Sequence, residues 1–339
     1  MRYSKIIHII IVCLLIPTIS FATKRALIIG IADYPINSGW ISLSSVNDII
    51  LLKKTFADIG IIHSVINKEA TKRGIVKNLN TLIEETQAGD TILIHFSGHG
   101  QQMLTSDSSE EDRLDEAFIP YDALKTKTHV YTGQNHLTDN ELSTYVNEIR
   151  KKAGVNGMVI VSIDACHSGN MDRNTHETTE KKYVVRGTDE TFGVAKAEVN
   201  DSLLAYSRDD TTRIEKNNIA DVLYLSACGQ HELNREITVD GLNYGSLSYC
   251  ISRAYRKNGI NDISTFIHDV MATMKTEMPF QTPKIRTSLA LHLDTDSLET
   301  PQISSTSNEI ADDSNLRILI LIVLSVLVIC ALWKLIGKR

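Results

Sequence analysis

Cysteine is scarce in this chain, five among 339 residues, and where it stands excludes more than its number does. Cys13 lies in an apolar N-terminal run and Cys330 in an apolar C-terminal one, leaving Cys166, Cys228 and Cys250 between them. That is room for one disulfide, Cys228 with Cys250, and an odd thiol, not for a disulfide framework. The paired-cysteine spacing of a zinc site is absent. Positive charge is also in deficit. The formal net charge is −6, and segments 1–22 and 316–339 hold six basic residues and no acidic one, so the stretch between them is more acidic still. This balance argues against a nucleic acid or an anionic membrane surface as partner and suits cationic substrates. There is no internal repeat.

Long hydrophobic runs stand at the two ends. Arg2 and Lys5 precede the apolar stretch Ile6 to Ile16, and Ser20-Phe21-Ala22 has small residues at alternate positions. Residues 1–22 therefore read as a signal peptide, with an uncleaved anchor as the alternative. Leu316 to Leu332 is apolar apart from Arg317 and is followed by Lys334, Lys338 and Arg339. We read 316–336 as a transmembrane helix, with 337–339 as a basic cytoplasmic tail and the rest on the exported side. Residues 294–315, rich in Ser, Asp and Asn, read as a flexible polar linker. One domain is expected over 23–293, anchored to a cell membrane and facing the periplasm or the exterior.

Within that domain apolar runs alternate in period. Strands are predicted at Arg25 to Ile31, Ile61 to Ile66, Thr91 to Phe96, Met158 to Ile163, Val222 to Ala227 and, closing the domain, Ser288 to Leu293. Helical spacing appears over Ser45 to Ile59, Thr71 to Thr86, from Thr138 onward, Ser246 to Arg256 and Asp262 to Met274. Repeated βαβ units imply an α/β fold, a mostly parallel sheet with helices on both faces.

Two strings stand at strand ends, where an open α/β sheet presents its chemistry. They are His95-Phe96-Ser97-Gly98-His99-Gly100 and Asp164-Ala165-Cys166-His167-Ser168-Gly169. An imidazole beside a thiol promotes the thiolate, so His99 reads as base and Cys166 as nucleophile of a cysteine-protease dyad. The glycines flanking His99 permit close backbone approach, which makes Gly100 N–H and Cys166 N–H candidate donors to an oxyanion. Residues two apart on a strand share a face, so Asp164 goes with Cys166 and Ser97 with His99. A carboxylate beside the nucleophile points to a pocket for a cationic side chain. His167 as base is disfavoured because neighbours on extended chain point apart. A metal site from His95, His99, Cys166 and His167 lacks ligand spacing.

HFSGHG and DACHSG, in this order and in this strand–helix context, resemble the motifs of caspase-like cysteine peptidases, most closely metacaspases and their bacterial relatives. The resemblance runs from Arg25 to about Leu293. It implies a caspase-like three-layer sandwich around a largely parallel six-stranded sheet, the Cys166/His99 dyad, and cleavage after Arg or Lys. It also implies a substrate pocket of Asp48 (from Asn47-Asp48), Ser97, Asp164 and Ser226 (from Ser226-Ala227-Cys228). The acidic loop 107–122 resembles the stretch that carries a calcium ligand in calcium-activated members. By that resemblance Asp115, Asp139, Asn140 and Asp172 are the candidate ligands, calcium being an activator rather than a required cofactor. Asn140 stands where an Asp is usual, and Cys166 to Asp172 is one residue short. The polar segment Asn170 to Asp221 resembles loops that are self-cleaved after a basic residue; Arg173, Lys181, Lys182, Arg186, Arg208, Arg213 and Lys216 are among its basic positions.

The expected protein is thus a membrane-tethered cysteine endopeptidase acting on proteins or peptides with Arg or Lys before the scissile bond. A legumain-like transamidase and a non-catalytic membrane scaffold of the same fold are the alternatives.

Overall fold

The computed structural model describes residues 22–104, 114–166, 183–194, 214, 218–229 and 232–290. Segments 1–21 and 291–339, which carry nearly all of the expected signal and the whole of the expected linker and span, lie outside these. Among the described residues no helix is long and apolar enough to cross a membrane.

A six-stranded sheet forms the centre, in the order β11-β8-β7-β3-β1-β2. Its strands are β1 (Lys24–Gly30), β2 (Ile61–Ile66), β3 (Thr91–Ser97), β7 (Met158–Asp164), β8 (Asp221–Ser226) and β11 (Lys284–Thr287). All neighbours pair in parallel except β11, which runs antiparallel to β8. Alternate residues of each strand feed two separate apolar layers, as the period-2 geometry of a strand requires. Leu27, Ile29, Ile94, Phe96, Val159 and Val161 meet α2 (Lys72–Glu85) and α3 (Asp139–Ala153) on one face. Ala26, Ile28, Leu93, Ile160 and Leu223 meet α1 (Ser45–Thr55), α4 (Ser246–Asn258) and α5 (Ile263–Glu277) on the other. The three-layer sandwich is the one expected.

Helix starts follow side-chain capping. Thr71, Thr138 and Asp262 accept backbone amides of the first turns of α2, α3 and α5, satisfying donors the helix cannot. Successive β1–α1–β2 and β2–α2–β3 crossovers leave β1 in opposite directions. The carboxyl ends of β1 and β3 therefore form a switch point where chain can enter between them.

Two small sheets and one displaced strand depart from the sequence reading. The last strand is Lys284–Thr287, not Ser288 to Leu293; an edge strand is covered on few sides, so Lys284 and Arg286 are tolerated in it and its pattern is not apolar. The stretch read as an acidic loop includes β5 (Leu114–Phe118), antiparallel to both β4 (Gly100–Leu104) and β6 (Leu137–Thr138). A hairpin, β9 (Glu236–Val239) and β10 (Leu242–Gly245), turns through Asp240 and Gly241 at φ 50° and 79°. Positive φ at both positions is the turn that Asp-Gly favours between strands.

Candidate active site

The predicted dyad and three of the four predicted pocket residues, Asp48, Ser97 and Asp164, gather near the carboxyl ends of β3 and β7, and something already sits among them. Segment 183–194 crosses this end of the sheet. Upstream it pairs antiparallel with the approach to β9: Val185 bridges Arg235, Arg186 N–H donates to Asn234 O at 2.9 Å, and Glu236 N–H donates to Val184 O at 2.9 Å. Downstream it follows β4, with Gly187 bridging Gly100 and Phe192 N–H donating to Gln102 O at 2.7 Å.

Between these two anchorages lies Arg186, whose side chain is wholly buried. Its Nη1 is 2.8 Å from Asp48 Oδ2, donates to Ser97 Oγ at 2.7 Å, and is 3.8 Å from Asp164 Oδ1. Its Nη2 is 2.9 Å from Glu236 Oε1. Three of the four predicted pocket residues thus contact the one guanidinium. Ser97 also donates to Asp48 Oδ2, and Gly245 N–H to Asp48 Oδ1. Gly245 is the floor: a Cβ there would run into Asp164 Oδ2 and Arg186 Nη1.

The Arg186 carbonyl oxygen accepts two backbone amides, from Cys166 at 2.9 Å and Gly100 at 3.3 Å. These are the two donors that the sequence nominated for an oxyanion. The next residue, Gly187, lies so close that an added Cβ would collide with the Cys166 carbonyl and Cβ. The Arg186–Gly187 peptide bond is therefore held against the cysteine, with the arginine side chain in an acidic pocket and its carbonyl between two N–H groups.

His99 is buried, and its ring stacks on Trp40 with centroids 4.8 Å apart. Its Nε2 is 3.0 Å from Ile41 O. A carbonyl only accepts, so Nε2 carries the proton and Nδ1 is the basic lone pair; Nδ1 is buried with no hydrogen-bond partner. Burial pushes the imidazole down to about 3, with Arg186 and Lys125 adding to the effect, so the ring is neutral at ordinary pH. Its backbone N–H is held by Tyr34 Oη, which donates onward to Ile119 O. Cys166 Sγ donates to Glu232 O at 2.9 Å, and Cys228 Sγ shares that acceptor at 3.5 Å. Cys166, Cys228 and Cys250 are all free thiols, so the Cys228 to Cys250 disulfide is not formed.

The electrostatics follow from three acids facing one cation. Burial raises the Asp48 carboxyl to about 6, against the pull of Arg186. Burial acts in the same direction on Asp164, but Arg186 and the hydrogen bonds from Asn234 and Ser248 outweigh it, so Asp164 sits below the usual carboxylate range. Asp164 Oδ1 accepts from Asn234 Nδ2 at 2.7 Å, and Oδ2 accepts from Ser248 N–H and O–H. With its only proton given to Asp164, Ser248 Oγ takes the His95 Nε2 proton at 3.1 Å. His95 is thus a neutral buried link in the wall, not a metal ligand.

Other predicted residues stand apart. Ser226 does not join the pocket: its register opposite Ile163 and Lys284 leaves it outside the guanidinium's contacts. Glu236 supplies that wall instead. Asn47 donates to Asn243 O, tying α1 to the hairpin rather than to the pocket. Asp115 is on β5, and Asp139 opens α3, where its Oδ1 accepts the Asn140 amide. Among the described residues no group of three or more His, Cys, Asp or Glu side chains could hold a metal ion. Asp172 and His167 lie outside those residues. A calcium ion takes six to eight oxygen ligands, and among the described candidates Asp115 lies on β5 while Asp139 and Asn140 lie on α3.

Asn234, Glu236, Ser248 and Trp40 escaped the sequence reading as site residues, and Arg186 entered it only as one of several basic positions in the segment expected to be self-cleaved. For Glu236 the Asp240-Gly241 turn was an available signal, since it announces a hairpin whose first strand begins there.

An open, mostly parallel sheet carrying a cysteine and a histidine beyond adjacent strand ends, with a buried acidic cluster beside them, is the arrangement of a caspase-type α/β protein. Comparison with known families agrees: the caspase domain family model matches residues 23–308, and the chain belongs to that family. Curated relatives include Metacaspase-1 of Ajellomyces capsulatus, 25% identical over 62% of this chain and 63% of its own length. Metacaspase-1 of Schizosaccharomyces pombe is 25% identical over 56% of this chain and 47% of its own. The chain thus spans about half to just under two thirds of these relatives. A crystal structure of a Geobacter sulfurreducens protein superposes with TM-score 0.53 at 20% identity, covering 78% of this chain and 93% of that one, which bears on the fold.

Proposed function

We propose that this chain is a cysteine endopeptidase that cleaves on the carboxyl side of Arg or Lys and first processes itself between Arg186 and Gly187. The supporting observation is the double fit of Arg186: guanidinium among Asp48, Ser97, Asp164 and Glu236, carbonyl oxygen on Cys166 N–H and Gly100 N–H. That geometry matches the ground state of an acyl transfer. The Cys166 sulfur attacks the carbonyl carbon after losing its proton toward the neutral His99. The oxygen takes the charge and is stabilised by the two amides. The carbon–nitrogen bond breaks as His99 returns the proton to the Gly187 amine. Water then cleaves the thioester, leaving a free Arg carboxylate and the thiol. Substrates in trans present the same side chain once segment 183–194 has left. Proteins or peptides are the substrates, and residues 316–336 hold the enzyme at a membrane with the active site on the exported side.

The test is the full chain beside Cys166→Ala, followed by intact mass and by hydrolysis of peptides ending in Arg, Lys or Asp. Cys166-dependent fragments with a new N-terminus at Gly187, together with turnover after Arg, support the reading. Identical fragments from Cys166→Ala, or turnover after Asp, refute it. Repeating the assay in chelator and with added calcium reads whether Asp115, Asp139, Asn140 and Asp172 form an activating site. An amide-exchange product with an added amine would mark a transamidase instead.

A further inference from the structure

We propose that Glu236 makes this pocket select arginine over lysine; the proposal rests on the reading that the Arg186 pocket receives substrate side chains. Asp48 and Ser97 gather at one guanidinium nitrogen, Nη1, and Asp164 lies beyond hydrogen-bond distance with both oxygens committed to Asn234 and Ser248. Among the described residues Glu236 alone meets the other terminal nitrogen, Nη2, at 2.9 Å. The two acids therefore read two ends of a planar fork. A lysine ammonium is a single point of charge and satisfies one end at a time.

Asp48 bonded to an ammonium would leave Glu236 as a buried carboxylate. The Glu236 residue is 5% exposed. Its Oε1 also accepts the Ser44 amide at 2.7 Å, but its Oε2 is buried without a partner. One backbone amide does not compensate a buried anion, so lysine incurs a penalty that arginine does not. Glu236 also donates its own N–H to Val184 O. The residue that aligns the bound backbone is thus the one that reads its side chain two positions on, which couples strand register to recognition.

The measurement is kcat/KM for matched peptides ending in Arg and in Lys, with the full chain, Glu236→Gln and Glu236→Asp. The wild type is expected to prefer Arg by roughly 30-fold or more. Glu236→Gln keeps an acceptor for Ser44 and is expected to bring the two within about three-fold, mostly by losing Arg turnover. Glu236→Asp should fall between. A wild-type ratio near one overturns the assignment whether or not the variants fold. So does a Gln variant that slows both peptides by one factor, which is what a purely structural role predicts. Wild-type hydrolysis of neither peptide overturns the pocket reading itself, and with it this one.

Discussion

Two arginines are buried against carboxylates at opposite ends of the central sheet. Arg25, at the amino end of β1, gives Nε to Asp90 Oδ2 at 2.7 Å, and Asp90 spends its remaining acceptor capacity on the backbone amides of Thr23 and Gln87. Glu85, 3.9 Å away and about a third exposed, adds little. At the carboxyl end, Arg186 meets acids from three separate elements, α1, β7 and β9, and its backbone is bonded as well as its side chain. One buried anion per cation, with spare oxygens closing local turns, is a joint of the scaffold. Three anions around one cation is a surplus the fold has no need of, since buried charge without a partner is costly. Charge balance, not burial, separates the two arginines, and it is the surplus of acid around Arg186 that supports reading its surroundings as a binding site.

The largest expected effect lies in removing each cation. Arg25→Ala and Arg186→Ala should each lose about 3–5 kcal/mol of stability by leaving buried acid uncompensated. Only the second should be repaired from outside: a benzoyl-arginine amide ligand should raise the melting temperature of Arg186→Ala and leave Arg25→Ala unmoved. Equal rescue of both, read by thermal denaturation, would dissolve the distinction.

Gly187→Ala sharpens the comparison at the peptide bond itself. Because the added Cβ meets the Cys166 backbone, self-cleavage should slow by about 10–100-fold, timed by fragment appearance, while hydrolysis of added Arg peptides is spared once the segment is displaced. An unchanged rate of self-cleavage would mean the segment is not held as described.

Asp48 gives the pH signature. Its carboxyl, raised by burial to about 6, binds a proton more readily folded than unfolded. Its contribution to stability is complete below the ordinary carboxylate value and is lost as pH rises through about 6. Recognition of arginine runs the other way, because it needs the anion. kcat/KM for Arg peptides should therefore climb with pH through a step above that of the occupied pocket, because the vacant pocket lacks the guanidinium that draws the Asp48 carboxyl down, and Asp48→Asn should be slower throughout with that step missing. The smallest effect lies away from both arginines. Thr138 Oγ1 accepts the Glu141 amide at the start of α3, and Thr138→Ala should cost about 1 kcal/mol by denaturant titration without altering arginine preference.

The sequence showed what repeats or alternates. Apolar periodicity placed β2 at its observed limits and most other central elements within a few residues, because two covered faces force near-continuous apolar strands. The glycine-flanked strings located His99, Gly100, Asp164 and Cys166 for the same reason, being polar residues at the ends of such strands. What was not legible depends on chain folding back from afar. Arg186 was one of eight Lys and Arg residues in a polar segment, and nothing local distinguishes it; its meaning comes from acids 138 and 22 residues upstream and 50 downstream. Glu236 looks like any charged residue opening a hairpin. β11 was misplaced because an edge strand with Lys284 and Arg286 has no apolar signature.

Every contact that seats the arginine side chain, and both backbone bonds to Asn234 and Glu236, belong to the stretch upstream of the Arg186–Gly187 bond. Breaking that bond detaches only the downstream half along β4. The new arginine terminus stays tethered to Cys166 through residues 167–182, so its local concentration is fixed by chain length and not by how much protein is present. If the bond is cut as proposed, scission would be the start of a delay rather than a switch: the first product would be a resident competitor, and activity toward other proteins would appear at the pace at which that tethered end unpairs from β9.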